Sequence, residues 1–183
     1  MKKKTLVVMM VMLIFFMGCT SSVPEEPGPK LPIELPFAVY QAGAMVSTEL
    51  RIVENKYNPQ NNYPFDLIFT FRKGDEADRA RVRKLVGGWD REKINGEIAE
   101  PGIPILLQIS ISVIEASGER PFFEKEILTK AMWAYGSDRF YREIDTIHIP
   151  PGFYNVKVQS LKGIPELAAT KIMLFIYLRR GGK

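Results

Sequence analysis

The 183-residue sequence contains one histidine, His148, and one cysteine, Cys19, and those two counts restrict its chemistry sharply. A Ser-His-Asp triad has a single available base, and His148 stands just before Ile149-Pro150, so a surface or strand-edge histidine is the expectation. Zinc sites built from His and Cys are excluded by count, and no Gly-rich phosphate loop or calcium-loop spacing appears. No metal and no cofactor are therefore expected, and no enzyme activity. Carboxylate pairs need only proximity in space, so Glu97, Glu100, Glu124, Glu126, Glu143 and Asp145 remain available to a glycosidase-type mechanism. That mechanism requires two of them about 5 to 9.5 Å apart. The densest aromatic stretch comprises Phe122-Phe123, Trp133, Tyr135, Phe140 and Tyr141, flanking Gly136-Ser137-Asp138. Rings with a polar tip suit interfaces and sugar sites, which makes Trp133, Tyr135 and Tyr141 the candidate binding surface. Trp133 and Tyr135 share strand parity, as a packed pair would, so burial in the core is the competing expectation.

Cys19 sits in a setting of its own. Lys2, Lys3 and Lys4 form a positive start, and Leu6 to Met17 is an unbroken apolar run of 12 residues. A membrane-spanning helix needs about 20, so the run is the length of a signal-peptide core. It ends in Phe16-Met17-Gly18-Cys19, which resembles the lipobox of bacterial lipoproteins, with a small residue directly before the lipid-bearing cysteine. The match departs from the family at Phe16 and Met17, where Leu and a small residue are usual. The resemblance implies cleavage before Cys19 and diacylglycerol on its sulfur. The other reading, an ordinary secretory signal, would leave a lone thiol in an oxidising compartment, whereas lipidation consumes it. Each buried acyl CH₂ contributes about 0.8 kcal/mol, so a multiply acylated cysteine holds a protein on its membrane. Thr20 stands where an Asp would, by resemblance to enteric lipoproteins, favour the inner membrane. The expected location is the outer membrane, facing the periplasm.

The formal charge of +4 invites a nucleic-acid reading, but three of the 25 basic residues lie in the segment expected to be removed. That leaves 22 against 21 acidic ones, and no electrostatic case for nucleic acid.

The remaining sequence has to position these groups. Thr20 to Pro36 carries five prolines among Ser and Glu, a composition that favours extended geometry and reaches roughly 50 Å at about 3.1 Å per residue. Beyond it, period-two alternation recurs. Val46, Thr48, Leu50 and Ile52 share one face. Phe65, Leu67, Phe69 and Phe71 share another, opposite Asp66, Thr70 and Arg72, as in a half-buried strand. Ile103, Ile105, Leu107, Ile109, Ile111 and Val113 form the longest such run. Phe140 to Ile149, Phe153 to Leu161 and Lys171 to Arg179 follow, and a further strand is expected near Phe37 to Gln41. One helix interrupts them at about 75–87, with Asp75 as N-cap, an Asp75/Arg79 pair, a core stripe of Val82, Leu85 and Val86, and Gly87-Gly88 as its stop. Its basic residues Arg79, Arg81, Arg83 and Lys84 read as a solvated face. Strands joined by short turns, without βα alternation, predict an all-β fold, an antiparallel β-sandwich with the Ig-like arrangement as the first expectation. Tyr154, after Pro150-Pro151-Gly152, invites comparison with the tyrosine corner of such sandwiches. The expected division is a signal peptide at 1–18, a lipidated Cys and tether at 19–36, and the sandwich at 37–180.

Several features together resemble a family of small proteobacterial lipoproteins sharing an all-β domain of unknown function. They are the lipobox, Tyr63 to Phe71, Lys84-Leu85-Val86-Gly87, the Pro101-Gly102 turn with its long strand, and Ile149 to Val158 with its Pro-Gly-x-Tyr core. The resemblance spans roughly Phe37 to Arg179 and implies no known activity. The functional expectation is a non-enzymatic, membrane-tethered domain that binds a macromolecular partner, such as a protein, in the periplasm. The alternatives are an immunity lipoprotein that neutralises an antibacterial toxin, a carboxylate-based envelope hydrolase, and a structural envelope lipoprotein.

Overall fold

Alternating side chains give each strand two faces, and a sheet is stable only if one of them is covered. A computed structural model describes residues 31–178 except 57, 90–92, 95, 96, 99 and 130, without side chains at 93, 94, 97 and 98. Cys19, the signal segment and most of the tether lie outside the described residues. The strands are β1 (Ile33–Pro36), β2 (Met45–Ile52), β3 (Asn62–Thr70), β4 (Lys93–Ile94), β5 (Glu97–Ile98), β6 (Leu106–Glu115), β7 (Gly118–Leu128), β8 (Met132–Tyr135), β9 (Arg139–His148), β10 (Gly152–Ser160) and β11 (Lys171–Ile176). Among the described residues, one helix, α1 (Glu76–Val86), and a 3₁₀ turn at Pro165–Leu167 complete the elements.

Two antiparallel sheets carry the fold, one in the order β1-β11-β3-β9-β8 and the other β2-β10-β6-β7, with β4 and β5 as a separate ribbon. Leu67, Phe69, Ile144 and Leu174 of the first sheet share one buried cluster with Leu50, Leu107, Ile109, Val156 and Val158 of the second. The expected antiparallel sandwich is the observed fold. In the constant-type Ig arrangement the first two strands lie in one sheet. Here β1 and β2 lie in different sheets and β11 enters between β1 and β3, so the likeness to Ig domains is one of architecture.

Several expectations need correcting. The strand near Phe37–Gln41 is displaced to Ile33–Pro36, which pairs with Met173–Ile176 of β11. Phe37 still donates its N–H to the Ile172 carbonyl at 3.0 Å, after which the Gln41 N–H bonds back to Ala38 and turns the chain. β3 is buried on both faces rather than one, because it is the central strand of its sheet and Asp66 and Ile68 are covered along with Leu67 and Phe69. β7 carries no alternation because it is an edge strand exposed on nearly all sides, and Pro121 with its charged neighbours keeps that edge from pairing further. In α1, Asp75 turns to accept the Asp78 N–H at 2.9 Å and pairs with Arg72, leaving Arg79 to pair with Glu76. Val82 and Val86 are buried, Leu85 partly so, and the Gly87 N–H closes the last turn on the Arg83 carbonyl.

Candidate functional site

The two outer faces of the sandwich differ in chemistry. On the four-stranded sheet, Glu119 accepts from Ser112 at 2.7 Å and from Asn155 at 3.1 Å, and Gln108 donates to Glu124 at 2.8 Å. The bond from Ser112, then that from Asn155, hold the Glu119 carboxyl below its ordinary range. This surface is mainly polar and hydrogen-bonded, with Met45 exposed and Phe153 exposed beneath the Arg51 guanidinium.

The five-stranded sheet is different. Its register sets Phe175, Asp66 and Glu143 side by side across β11, β3 and β9, with Met173, Ile68, Tyr141 and Ala134 forming the next row. Residues directly opposed on antiparallel strands share a face, so Asp66 and Glu143 are neighbours whose Cβ atoms stand about 5 Å apart. Phe175, near the end of β11, and Tyr177, just beyond it, stack at 4.7 Å between ring centres and 18° between planes. Trp133 lies nearly parallel to Tyr177, at 6.4 Å and 11°, and tilts against Tyr141 at 6.3 Å. Its Nε1–H donates to the Asp66 carboxylate at 3.0 Å. Asp66 is fully buried beneath these rings, while Trp133 itself stays 41% exposed.

A β-bulge explains this use of Trp133. Met132 pairs with Arg142 and Ala134 with Tyr141, which leaves Trp133 as the extra residue; Tyr135 then pairs with Phe140. The bulge breaks the parity that Trp133 and Tyr135 share in sequence. Trp133 and Tyr141 meet on the outer face, whereas Tyr135, 57% exposed, packs edge-on against Trp89 at 5.2 Å. The expected trio is thus divided, and neither Trp133 nor Tyr135 is a core residue. Phe175, Tyr177 and Asp66 join the site without having been singled out. Ile68, an apolar residue on the polar side of the β3 pattern, is the one local sign that this side is covered.

The candidate carboxylates scatter. Asp145 forms an ion pair with Lys125 at 2.8 Å, Glu124 takes Gln108, Glu126 and Glu100 are exposed, and nothing is described of the Glu97 side chain. Glu143 alone meets another carboxyl, Asp66, which is shut from solvent. His148 ends β9, exposed, with Nδ1 2.7 Å from the Gln60 carbonyl oxygen. Among the described residues there is no group of three His, Cys, Asp or Glu able to hold a metal, and no helix long and apolar enough to cross a membrane.

Two cavities lie elsewhere. One of about 300 Å³ is walled by Pro101, Gly102, Pro104, Leu128, Thr129, Ala131 and the buried Arg142. Another of about 200 Å³ lies among Leu31, Arg51, Ile52, Val53, Asn55, Tyr63 and Leu178.

With the geometry described, comparison with known proteins places the chain. The model of a domain of unknown function, DUF5625, matches residues 34–178. The chain belongs to that family. The DUF5625 match starts within β1 and runs through β11, and therefore takes in both sheets and the aromatic face. No curated protein matches the sequence. A crystal structure of a protein from Sulfurospirillum deleyianum is similar to this DUF5625 domain at TM-score 0.65 and 21% identity, covering 84% of this chain and 100% of that one. At that identity the likeness concerns the fold.

Proposed function

We propose that this chain is a lipid-anchored protein of the bacterial envelope whose DUF5625 sandwich binds a macromolecular partner through the outer face of its five-stranded sheet. The lipobox-like Phe16-Met17-Gly18-Cys19 and the proline-rich tether support the anchoring, with the domain held in the periplasm. The observation that carries the binding role is the ring group of Trp133, Tyr141, Phe175 and Tyr177, partly exposed together on one face, whereas the other face is mainly polar and shows a single exposed ring, Phe153 beneath Arg51, among the described residues. Solvent-accessible aromatic groups of this kind mark interaction surfaces, since rings bring large contact area with few rotatable bonds. Scattered carboxylates and a covered Asp66 favour binding over hydrolysis.

The test is photocrosslinking in intact cells. A benzophenone amino acid in place of Tyr141 is expected to yield a discrete adduct that Trp133→Ala abolishes, while the same group in place of Lys157 on the opposite face yields none. Equal labelling from both faces, or none from Tyr141, would remove this reading.

A further inference from the structure

We propose that the chain pairs with a second copy of itself along the outer edge of β2, the two strands running antiparallel about a twofold axis at Leu50, so that Glu49 of each copy faces Arg51 of the other. This contact belongs to the four-stranded sheet and is independent of the aromatic face and its partner.

A sheet edge presents unpaired N–H and C=O groups, and folded proteins blunt such edges. Three of the four edges of the two main sheets are blunted. β1 has four residues and ends in Pro36, β8 has four residues and a bulge, and β7 carries Pro121 among charged side chains. β2 has eight residues, no proline, and pairs with β10 without a register break. Hydrogen-bonding direction alternates along a strand. The Ser160 N–H donates to the Ala44 carbonyl at 2.8 Å, so the even-numbered residues of β2 bond β10, while Met45, Ser47, Glu49 and Arg51 turn their peptide groups outward. The Thr48 hydroxyl donates to the Glu49 carbonyl at 3.3 Å, and that oxygen has a second lone pair to offer. Val46 and Thr48 point into the sandwich yet are only half-buried, so the core is incompletely covered at this edge.

Charge order commits the edge to one occupant. Directly opposed residues on antiparallel strands share a face, so a twofold pairing of β2 with itself matches odd with odd and even with even. Centred on Glu49 it sets two glutamates against each other, and centred on Arg51, two arginines. Centres at Thr48 or Ile52 set neither residue against a charge. Centred on Leu50 it sets Glu49 against Arg51 twice, with Leu50 against Leu50 and Thr48 against Ile52 on the inner side. Opposite charges directly across a strand pair are favourable and like charges are not. Glu49 is exposed. Arg51 keeps its place over the Phe153 ring, 5.2 Å from its centre, and its five donors let it take Glu49 in addition to the contacts it already has. A foreign strand would have to bring that charge order with it.

The experiment is photocrosslinking of the full chain in intact cells that express two differently tagged copies, with a benzophenone amino acid in place of Ser47, which the twofold places opposite Val53 of the other copy. Both tags are expected in one adduct of twice the chain mass. Glu49→Lys should lower its yield about tenfold, and Arg51→Glu likewise, because two attractive pairs become repulsive; combining the two substitutions should restore it. Restoration separates a lost charge match from a lost fold. An adduct to a different protein in place of the second copy overturns the dimer, and so does the absence of any adduct. A two-tag adduct that Glu49→Lys leaves unchanged, or that the combined variant fails to restore, overturns it as well, because the copies then meet by another contact. None of these results bears on the aromatic face, since Tyr141 lies on the other sheet and Lys157 stands two strand spacings, about 10 Å, from the second copy.

Discussion

Arg142 shows how much one residue can hold in place. Only 2% exposed, it donates to the Ile103 carbonyl at 2.6 Å and to those of Pro101 and Thr129 at 3.4 Å. It thereby ties the segment before β6 and the end of β7 to β9. Burial pushes its pKa down to about 10. Arg142→Met keeps the length and removes the donors, leaving covered carbonyls without them, so urea denaturation should show a loss of about 3 kcal/mol. A loss below about 0.5 kcal/mol would mean those carbonyls find other partners. Tyr63 offers a second test, by pH. Burial, its largest influence, raises its phenol above the ordinary value. A group whose folded pKa is raised contributes stability fully below its unfolded value and loses it as pH climbs through the folded one. Unfolding measured from pH 8 to 11.5 should therefore show a steeper alkaline loss in the wild type than in Tyr63→Phe. Arg142 acts in the opposite sense above pH 10, where its lowered pKa makes stability rise, but it is present in both proteins and cancels in the comparison. At this scale the sequence revealed residue types better than their company. Trp133 and Tyr141 were legible as aromatic candidates, while Asp66 read as a solvent-facing acid because Ile68 alone hints locally that the second face of β3 is covered.

The end of α1 depends on two glycines pressed together. Gly87 and Gly102 have φ of +92° and +68°, and a Cβ on Gly87 would come 2.5 Å from the Glu100 carbonyl oxygen. A Cβ on Gly102 would meet the Val86 carbonyl. Neither obstacle is the yielding tip of a side chain, and both positions also carry a backbone conformation that L residues resist. Gly102→Ala should therefore cost about 3 kcal/mol, visible as a Tm lowered by roughly 10 °C, whereas Gly118→Ala, with open space around it, should cost less by differential scanning calorimetry. Equal losses at the two sites would attribute the effect to φ alone and remove the close approach as its cause. The helix itself was readable, since cap, apolar stripe and glycine stop are local signals. The β8 bulge was not: one extra residue moves a ring from one face to the other, and no residue type announces it. β7 escaped notice for a related reason, because an edge strand wet on both sides has no hydrophobic period to display.

For the molecule as a whole, the sandwich was legible because inward alternation repeats along most strands, and the place where it begins was not. Ile33–Pro36 has the composition of the proline-rich tether, yet it forms the edge strand beside β11, with Ile33 buried and Glu34 joined to Arg139. Only the pairing partner, about 140 residues further along the chain, makes those residues a strand. A tether ending at Pro32 still spans about 40 Å if extended. Its attachment also matters for binding, because β11 carries Phe175 and leads directly into Tyr177. Burying Ile33 is worth about 2 kcal/mol and each strand hydrogen bond about 1 kcal/mol. A domain starting at Phe37 should thus be about 4 kcal/mol less stable than one starting at Leu31, a large share of the 5–15 kcal/mol typical of a domain. Loss of β1 also bares the outer edge of β11, which loosens the stack against Trp133. Chemical denaturation should report the first effect, and broadening of the Trp133 indole NMR signal in the shorter domain the second. If the shorter domain matched the longer one in both, β1 would be an ornament on the sheet, and the tether would meet the binding face without supporting it.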